Sequence, residues 1–138
     1  MKRPNFFVSV LHVLGIVALR FRMIPRVWAI WLMAVNLACV FFITHIEAQV
    51  ALAVAGIASL LMAAVYQRYG FTRILGVFHA AWVPMLAWFV SRWEIVQQDQ
   101  ALATWVALLM VTNTISLVVD AWDVTRFVKG ERAPSYAW

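Results

Sequence analysis

The chain has 138 residues, of which 65% are hydrophobic and 12% are charged, whereas a soluble domain is about half apolar and about a quarter charged. This composition excludes an ordinary soluble domain and leaves only a soluble bundle of unusually apolar helices as the alternative to a membrane protein. The formal net charge is +5, but the basic residues flank apolar segments. We therefore expect anionic lipid headgroups, rather than nucleic acid, as their partners.

The first apolar segment, residues 6–19, follows a basic N-terminus. Its 14 residues rise only about 21 Å as a helix, which is short for a membrane span. A crossing that began in the cytoplasm would also carry Arg20, Arg22 and Arg26 outside, against the positive-inside rule. We predict that residues 1–26 form an amphipathic helix that lies in the interface or dips back. A signal peptide is the alternative, although arginines stand where a small-residue cleavage site belongs.

Four later segments of 18 to 19 residues contain no Asp, Glu, Lys or Arg. As helices they rise about 27 to 29 Å, close to a hydrocarbon core of about 30 Å. Their continuous apolar character excludes a membrane β-barrel, whose strands alternate between polar and apolar residues. The chain is therefore predicted to be all-α and a single domain. Its predicted transmembrane helices are residues 27–45, 48–67, 71–91 and 101–122, followed by a cytoplasmic tail at 123–138.

The basic residues set the expected orientation of these helices. All of the eleven Lys and Arg residues except Arg92 fall on one side of the predicted membrane, and that side should be cytoplasmic. The turns at residues 45–47 and 69–70 are short enough to require antiparallel neighbours. We expect an integral membrane four-helix antiparallel bundle with both termini inside, in the bacterial inner membrane.

The second predicted span carries small residues at four-residue spacing. Close backbone approach through small residues is a main source of helix association in lipid. We expect this ridge to pack against a neighbouring helix or another subunit, although alanine is common in membrane helices in any case. The ridge consists of Ala51, Ala55, Ser59 and Ala63.

Each predicted span has a polar residue about 12 to 14 Å from its cytoplasmic end. Polar groups are costly inside the apolar layer and are the first place to look for function. A common depth suits a shared hydrogen-bond network or a small polar cavity, whereas bonds to helix carbonyls or between packed helices are the alternative. These residues are Asn36, Ser59, His79 and Asn113.

The fourth span carries a polar stripe whose members follow in steps of three, four and three residues: Asn113, Ser116, Asp120 and Asp123. This spacing places them on one helix face. Such a face suits a water-filled vestibule that opens to the cytoplasm. Alternatively, the helix emerges into water there, with Asp120 paired to an arginine such as Arg73 or Arg126.

Histidine is the side chain that ordinarily titrates near neutral pH, and His79 lies shortly before Pro84, which should kink the third span. Together they suit a protonation-sensitive or ligand-binding kink, although a lone histidine is often a satisfied interior residue. A bis-histidine haem would require His12 as the second ligand. His45 and Glu47 are two residues apart and do not share a helix face, so we predict no metal site.

The sequence contains no recognisable catalytic constellation, so we predict no enzyme and no cofactor. The leading hypothesis is a homo-oligomeric channel or transporter with a polar cavity in the cytoplasmic half of the bilayer. One alternative is a non-catalytic accessory subunit of a membrane complex, and another is a lipid, quinone or haem binder that uses His79. The candidate cavity residues are Asn36, Ser59, His79, Asn113, Ser116 and Asp120.

Overall fold

The computed structural model describes residues 5–133, and every regular element within that range is helical. This confirms the all-α prediction for the described residues, whereas the basic residues Lys2 and Arg3 and the last part of the predicted tail lie outside them. Two 3-10 segments continue or precede longer helices, at Ala38–Phe42 and Arg73–Ala81. The α-helices are α1 (Phe6–Leu19), α2 (Met23–Leu37), α3 (Ile46–Tyr69), α4 (Trp82–Ser91), α5 (Trp93–Val96) and α6 (Gln100–Val128).

Four helical stretches are long and apolar enough to cross a membrane, as predicted: Met23–Phe42, Ile46–Tyr69, Arg73–Ser91 and Gln100–Val128. The 29-residue α6 rises about 43 Å, which exceeds a hydrocarbon core of about 30 Å. It continues past Trp122, the last residue of the predicted span, because ion pairs hold its final turns. The chain therefore forms a helical bundle with the composition expected of a multi-pass membrane protein.

Local signals explain where several of these helices begin and end. The Asp99 carboxylate caps α6 by accepting bonds from Ala101 N and Leu102 N at 2.9 and 3.0 Å, which satisfies otherwise orphaned amides. Gly70, with φ of 68°, ends α3 in the left-handed region that glycine tolerates. The Asn5 side chain caps α1 by accepting a bond from Val8 N.

Helix α1 packs on α3 rather than standing alone. Its buried side chains include Val13 and Ile16, and Val13 joins a small apolar cluster with Met62 of α3 and Leu75 of the second 3-10 segment. Gln67 near the end of α3 donates a bond to the α1 residue Ser9 at 3.2 Å. Whether α1 lies in the interface or dips into the membrane stays a prediction.

The main apolar core lies toward the end of the bundle that contains the α4–α6 connection. Phe89 is fully buried there, and Trp105 stacks on Phe42 with ring centroids 5.2 Å apart. The Trp105 indole N–H donates to the carbonyl of Val35 at 3.0 Å. A large aromatic side chain thus contributes both apolar area and a satisfied polar group.

The small-residue ridge of α3 divides between buried and half-buried positions. Ala51 and Ala63 are buried, whereas Ala55 and Ser59 are half-buried. The Ser59 hydroxyl donates to the carbonyl of Ala55 in the same helix at 2.9 Å. Two of the four ridge residues therefore contribute directly to packing within the chain.

A buried ion pair joins the start of α3 to the end of α4. Glu47 is only 3% exposed, and its Oε1 lies 2.9 Å from Arg92 Nε. The Arg92 guanidinium also lies over the Trp88 ring at 4.8 Å, a favourable cation–π distance. The single basic residue predicted on this side thus neutralises a carboxylate that the fold buries.

We expect Arg92→Ala to lower the free energy of unfolding by about 3 kcal/mol, because it leaves the buried Glu47 charge without its partner. The matched change at an exposed arginine, Arg20→Ala, should have little effect. Unfolding of the purified protein in detergent measures both. Equal losses for the two variants would contradict a structural role for the pair.

Candidate functional site

The polar stripe of α6 faces other helical elements of the chain. Its members lie one after another along the side of α6 that contacts α2 and the second 3-10 segment. Each has a partner on another element: Asn113 with Asn36, Ser116 with Trp28, Asp120 with His79, and Asp123 with Arg73. The stripe is therefore an internal seam of hydrogen bonds and ion pairs.

Asn36 of α2 and Asn113 of α6 form a reciprocal amide pair. Asn36 Nδ2 donates to Asn113 Oδ1 at 2.8 Å, and Asn113 Nδ2 donates back to Asn36 Oδ1 at 3.1 Å. Asn36 Nδ2 also donates to the carbonyl of Leu32 at 2.9 Å. Asn113 is fully buried, so this pair satisfies polar groups that apolar surroundings would otherwise penalise.

Two tryptophans of α2 supply the next contacts along the seam. Trp28 Nε1 donates to Ser116 Oγ at 3.1 Å, and Trp31 Nε1 donates to Thr112 Oγ1 at 3.2 Å. The sequence analysis did not predict this role for either tryptophan. The available signal was the spacing, because the donors are three residues apart and the hydroxyls four apart, each on one helix face.

The centre of the candidate site is a close contact between His79 and Asp120. His79 Nδ1 lies 2.6 Å from Asp120 Oδ2, and the two side chains are 11% and 21% exposed. The imidazole stacks on Trp82 at 3.9 Å between ring centroids and contacts Phe78 at 3.8 Å. An ionisable pair thus lies within two of the spans, and its imidazole contacts two aromatic rings.

The winding of the second 3-10 segment explains this pairing. A 3-10 helix has three residues per turn, so side chains three apart eclipse one another. Arg73 and His79 therefore face α6 together, whereas Leu75 packs with the α3 cluster and Val77 is exposed. Asp120 consequently pairs with His79 and not with an arginine, and Arg73 takes Asp123 instead. Pro84 lies in the first turn of α4, immediately beyond this segment.

A charge network closes the end of the seam beyond the histidine. Arg73 Nη1 lies 2.6 Å from Asp123 Oδ1, and Arg73 Nε lies 3.3 Å from Glu131 Oε2. Arg126 Nη2 lies 2.6 Å from Glu131 Oε2. The Arg126 hydrogen bond holds the pKa of the Glu131 carboxyl below its usual value.

The structure brings four of the six predicted cavity residues together as two separate pairs. Asn36 meets Asn113 and His79 meets Asp120, while Ser116 bonds to a tryptophan and Ser59 bonds within its own helix. An open apolar hollow of about 660 Å³ lies between α2 and α6, and none of the six candidates lines it. Its lining includes Trp31, Ala34, Ala38, Ala101, Thr104 and Trp105.

Within residues 5–133 the structure places no three His, Cys, Asp or Glu side chains where they would hold a metal ion. His12, the second ligand that a bis-histidine haem would need, has its Nδ1 3.3 Å from the Tyr66 hydroxyl. His45 lies 3.8 Å from Asp99 at the opposite end of the bundle.

Comparison with known proteins adds no assignment, because no protein family, curated protein or solved structure matches this chain.

We expect a double-mutant cycle of Asn36→Ala and Asn113→Ala to give a coupling energy of about 0.6 to 1.7 kcal/mol, the range for polar contacts between membrane helices. Unfolding in detergent supplies the four stabilities. Asn113→Ala combined with Ser59→Ala serves as the control and should be additive, because those side chains share no hydrogen bond. An additive first cycle would contradict the reciprocal amide pair.

The pairing of Glu131 should depend on pH in the acid range. Because its pKa is lowered in the folded protein, the contact is present above the usual carboxylate pKa and is lost as pH falls through the lowered value. The carboxyl ¹³C resonance of Glu131 should titrate below the usual pKa of a glutamate, and Arg126→Gln should move the midpoint back up. A midpoint that ignores Arg126→Gln would refute this cause.

Proposed function

We propose that the protein is a small channel or transporter of the membrane, acting as a homo-oligomer, in which His79 and Asp120 form the group that takes up and releases a proton. The observation that carries this proposal is the 2.6 Å contact between the buried His79 and the half-buried Asp120. Ionisable residues inside membrane spans are rare and typically mark ion pathways or proton relays.

Stability alone is a weak reason for such a pair. Desolvating two charges costs about as much as their attraction returns, and well-packed apolar residues often stabilise a protein equally well. A histidine and a carboxylate that share a proton can, in contrast, exchange it near neutral pH. The pair therefore suits proton transfer better than it suits helix attachment.

The charged and titratable groups on the surrounding elements have partners of their own. On α6 and the second 3-10 segment, Asp123 pairs with Arg73. On α1 and α3, His12 contacts Tyr66. A proton that arrives at His79 or Asp120 would therefore meet a site whose neighbours are already paired, which supports this pair as the exchanging group.

The proposed topology is an antiparallel bundle with both ends in the cytoplasm of a bacterial inner membrane. Contacts between α2 and α6 run in opposite chain directions, from Trp28 with Ser116 to Val35 with Trp105, as antiparallel helices require. The side that receives Arg92 is otherwise free of basic residues in the sequence. His79 and Asp120 then lie in the cytoplasmic half, where Asn36, Ser59, Asn113 and Ser116 are the further candidates for lining a path.

The pairing of the polar side chains within one copy supports a homo-oligomer. The polar candidates Asn36, Asn113 and Ser116 all have hydrogen-bond partners on neighbouring helices, so an aqueous path requires either separation of those helices or an axis between copies. Several copies around an axis supply such a path without breaking the seam of each copy.

Proton flux into liposomes that contain a pH-sensitive dye tests the proposal. With a potassium gradient and valinomycin as the driving force, the wild-type protein should acidify or alkalinise the lumen, and Asp120→Asn and His79→Gln should fall to the level of empty liposomes. Glu94→Gln makes the same carboxyl-to-amide change at an exposed position and should retain flux. The proposal would be refuted if the wild type showed no flux with the potassium gradient in either direction. Full flux in Asp120→Asn would also refute it.

An accessory or assembly subunit is the second candidate, and one observation favours it. The span Met23–Phe42 is the least buried of the four, and the α2–α6 hollow beside it is apolar and open. Co-purification from native membrane separates the candidates, because a stoichiometric foreign partner supports the accessory role and a single-species oligomer supports the channel. An absorption spectrum of the same sample tests the remaining alternative, a haem or quinone bound through His79.

A further inference from the structure

We propose that Gly76 is a positioning residue: the absence of its side chain forms a notch in the second 3-10 segment that seats the Asp120 carboxylate and directs it at His79. This inference rests on the proposed function only where it concerns proton transfer. The geometry of the notch stands independently of any transport activity.

The notch is defined by how closely Asp120 approaches the backbone. A Cβ built on Gly76 would lie 2.5 Å from Asp120 Oδ1, 2.8 Å from its Cγ and 2.9 Å from its Cβ. These separations are well inside van der Waals contact, so Asp120 occupies the space that any other residue would fill with its own side chain.

The two oxygens of this carboxylate have different neighbours. Oδ1 is the atom nearest to the Gly76 notch, whereas Oδ2 makes the 2.6 Å contact with His79 Nδ1. The plane of the carboxylate is fixed because Oδ1 fits into the space at Gly76 while Oδ2 is hydrogen-bonded to the imidazole. The notch therefore sets the distance and direction at which the histidine meets its partner.

The winding of the segment places the notch and the histidine together. Gly76 and His79 are three residues apart, and in a 3-10 helix that spacing puts them on one face about 6 Å apart along the axis. Arg73, one turn earlier, holds Asp123, which lies one turn from Asp120 on α6. The Arg73 contact keeps the two helices in the register that brings Asp120 into the notch.

A side chain at residue 76 would have a chemical consequence as well as a steric one. It would move the carboxylate away from an imidazole that packs between Trp82 and Phe78. The Nδ1 atom would then lose its hydrogen-bond partner inside an apolar enclosure, where an unpaired polar group is costly. The site would lose its shared proton even though both ionisable residues remained in the sequence.

The chain offers a matched control for this idea. Gly56 also lies within a membrane span, in α3, and a Cβ built there meets no described atom within 4 Å. Gly56→Ala and Gly76→Ala therefore make the same chemical change within two of the membrane spans. Only the second change obstructs Asp120.

The experiment is ¹⁵N and ¹H NMR of histidine-labelled protein in nanodiscs, reading the hydrogen-bonded Nδ1–H resonance of His79. Wild type and Gly56→Ala should show it at the same position, whereas Gly76→Ala should lose it. Asp120→Glu leaves residue 76 unchanged but lengthens the side chain beyond the notch, and it should also lose the resonance. An unchanged resonance in Gly76→Ala would overturn the proposal. If Gly76→Ala does not fold, an unchanged resonance in Asp120→Glu would overturn it instead.

Proton flux of the same variants separates this inference from the proposed function. If the resonance responds as expected while wild-type protein carries no protons, the positioning role of Gly76 stands and proton transport is refuted. If flux depends on Asp120 but the resonance survives Gly76→Ala, transport stands and the positioning role is refuted.

Discussion

An ionisable group inside an apolar layer needs a partner, and this requirement determines how the third and fourth spans meet. Asp120 and Asp123 lie one turn apart on α6, and each is matched by a side chain of the second 3-10 segment. The two matching side chains, His79 and Arg73, are six residues apart. They reach the same face of their helix only because that stretch has three residues per turn. The unusual winding and the polar seam therefore require each other.

The parts of the structure that the sequence predicted well are those set by composition and by regular α-helical geometry. Segments without charge predicted four helices that can span a membrane, because excluding charge from about 30 Å of hydrocarbon leaves a long, unambiguous signal. The spacing of the polar residues on α6 predicted a single face correctly, because α6 keeps ordinary α-helical winding throughout.

Sequence reasoning failed where winding departs from the α-helix. With about 100° per residue, Arg73 and His79 would point about 120° apart, and no pattern in the sequence signals the change to 120° per residue. For this reason one of the two interpretations of the stripe paired Asp120 with an arginine instead of with His79. A rise of 1.5 Å per residue correctly predicted a common depth for Asn36 and Asn113, because both lie on α-helices. The same rise underestimated the depth of His79, because the 3-10 segment before it rises about 2.0 Å per residue. Gly76 offered no signal by itself, since glycine is common in membrane helices.

The two ends of the bundle are held together by different chemistry. Near the α4–α6 connection, Phe89 and Trp105 pack in an apolar core, with the Glu47–Arg92 ion pair beside it. Toward the other end, α6 meets its neighbours through amides, hydroxyls and charges. The His79–Asp120 pair, on which the proposed proton exchange depends, lies at this polar end.

The stretched winding of Arg73–Ala81 also affects how the third span fits the bilayer. That span has only 19 residues, and wound entirely as an α-helix it would rise about 28 Å, less than a typical hydrocarbon thickness. With nine residues in 3-10 form, at about 2.0 Å each, it reaches about 33 Å. Rewinding this segment as an α-helix would shorten the span by about 4.5 Å and leave it mismatched to the surrounding lipid. Hydrophobic matching to the bilayer therefore favours the 3-10 form of this segment over the α-helical form. Bilayers of different thickness should shift the balance between these two forms.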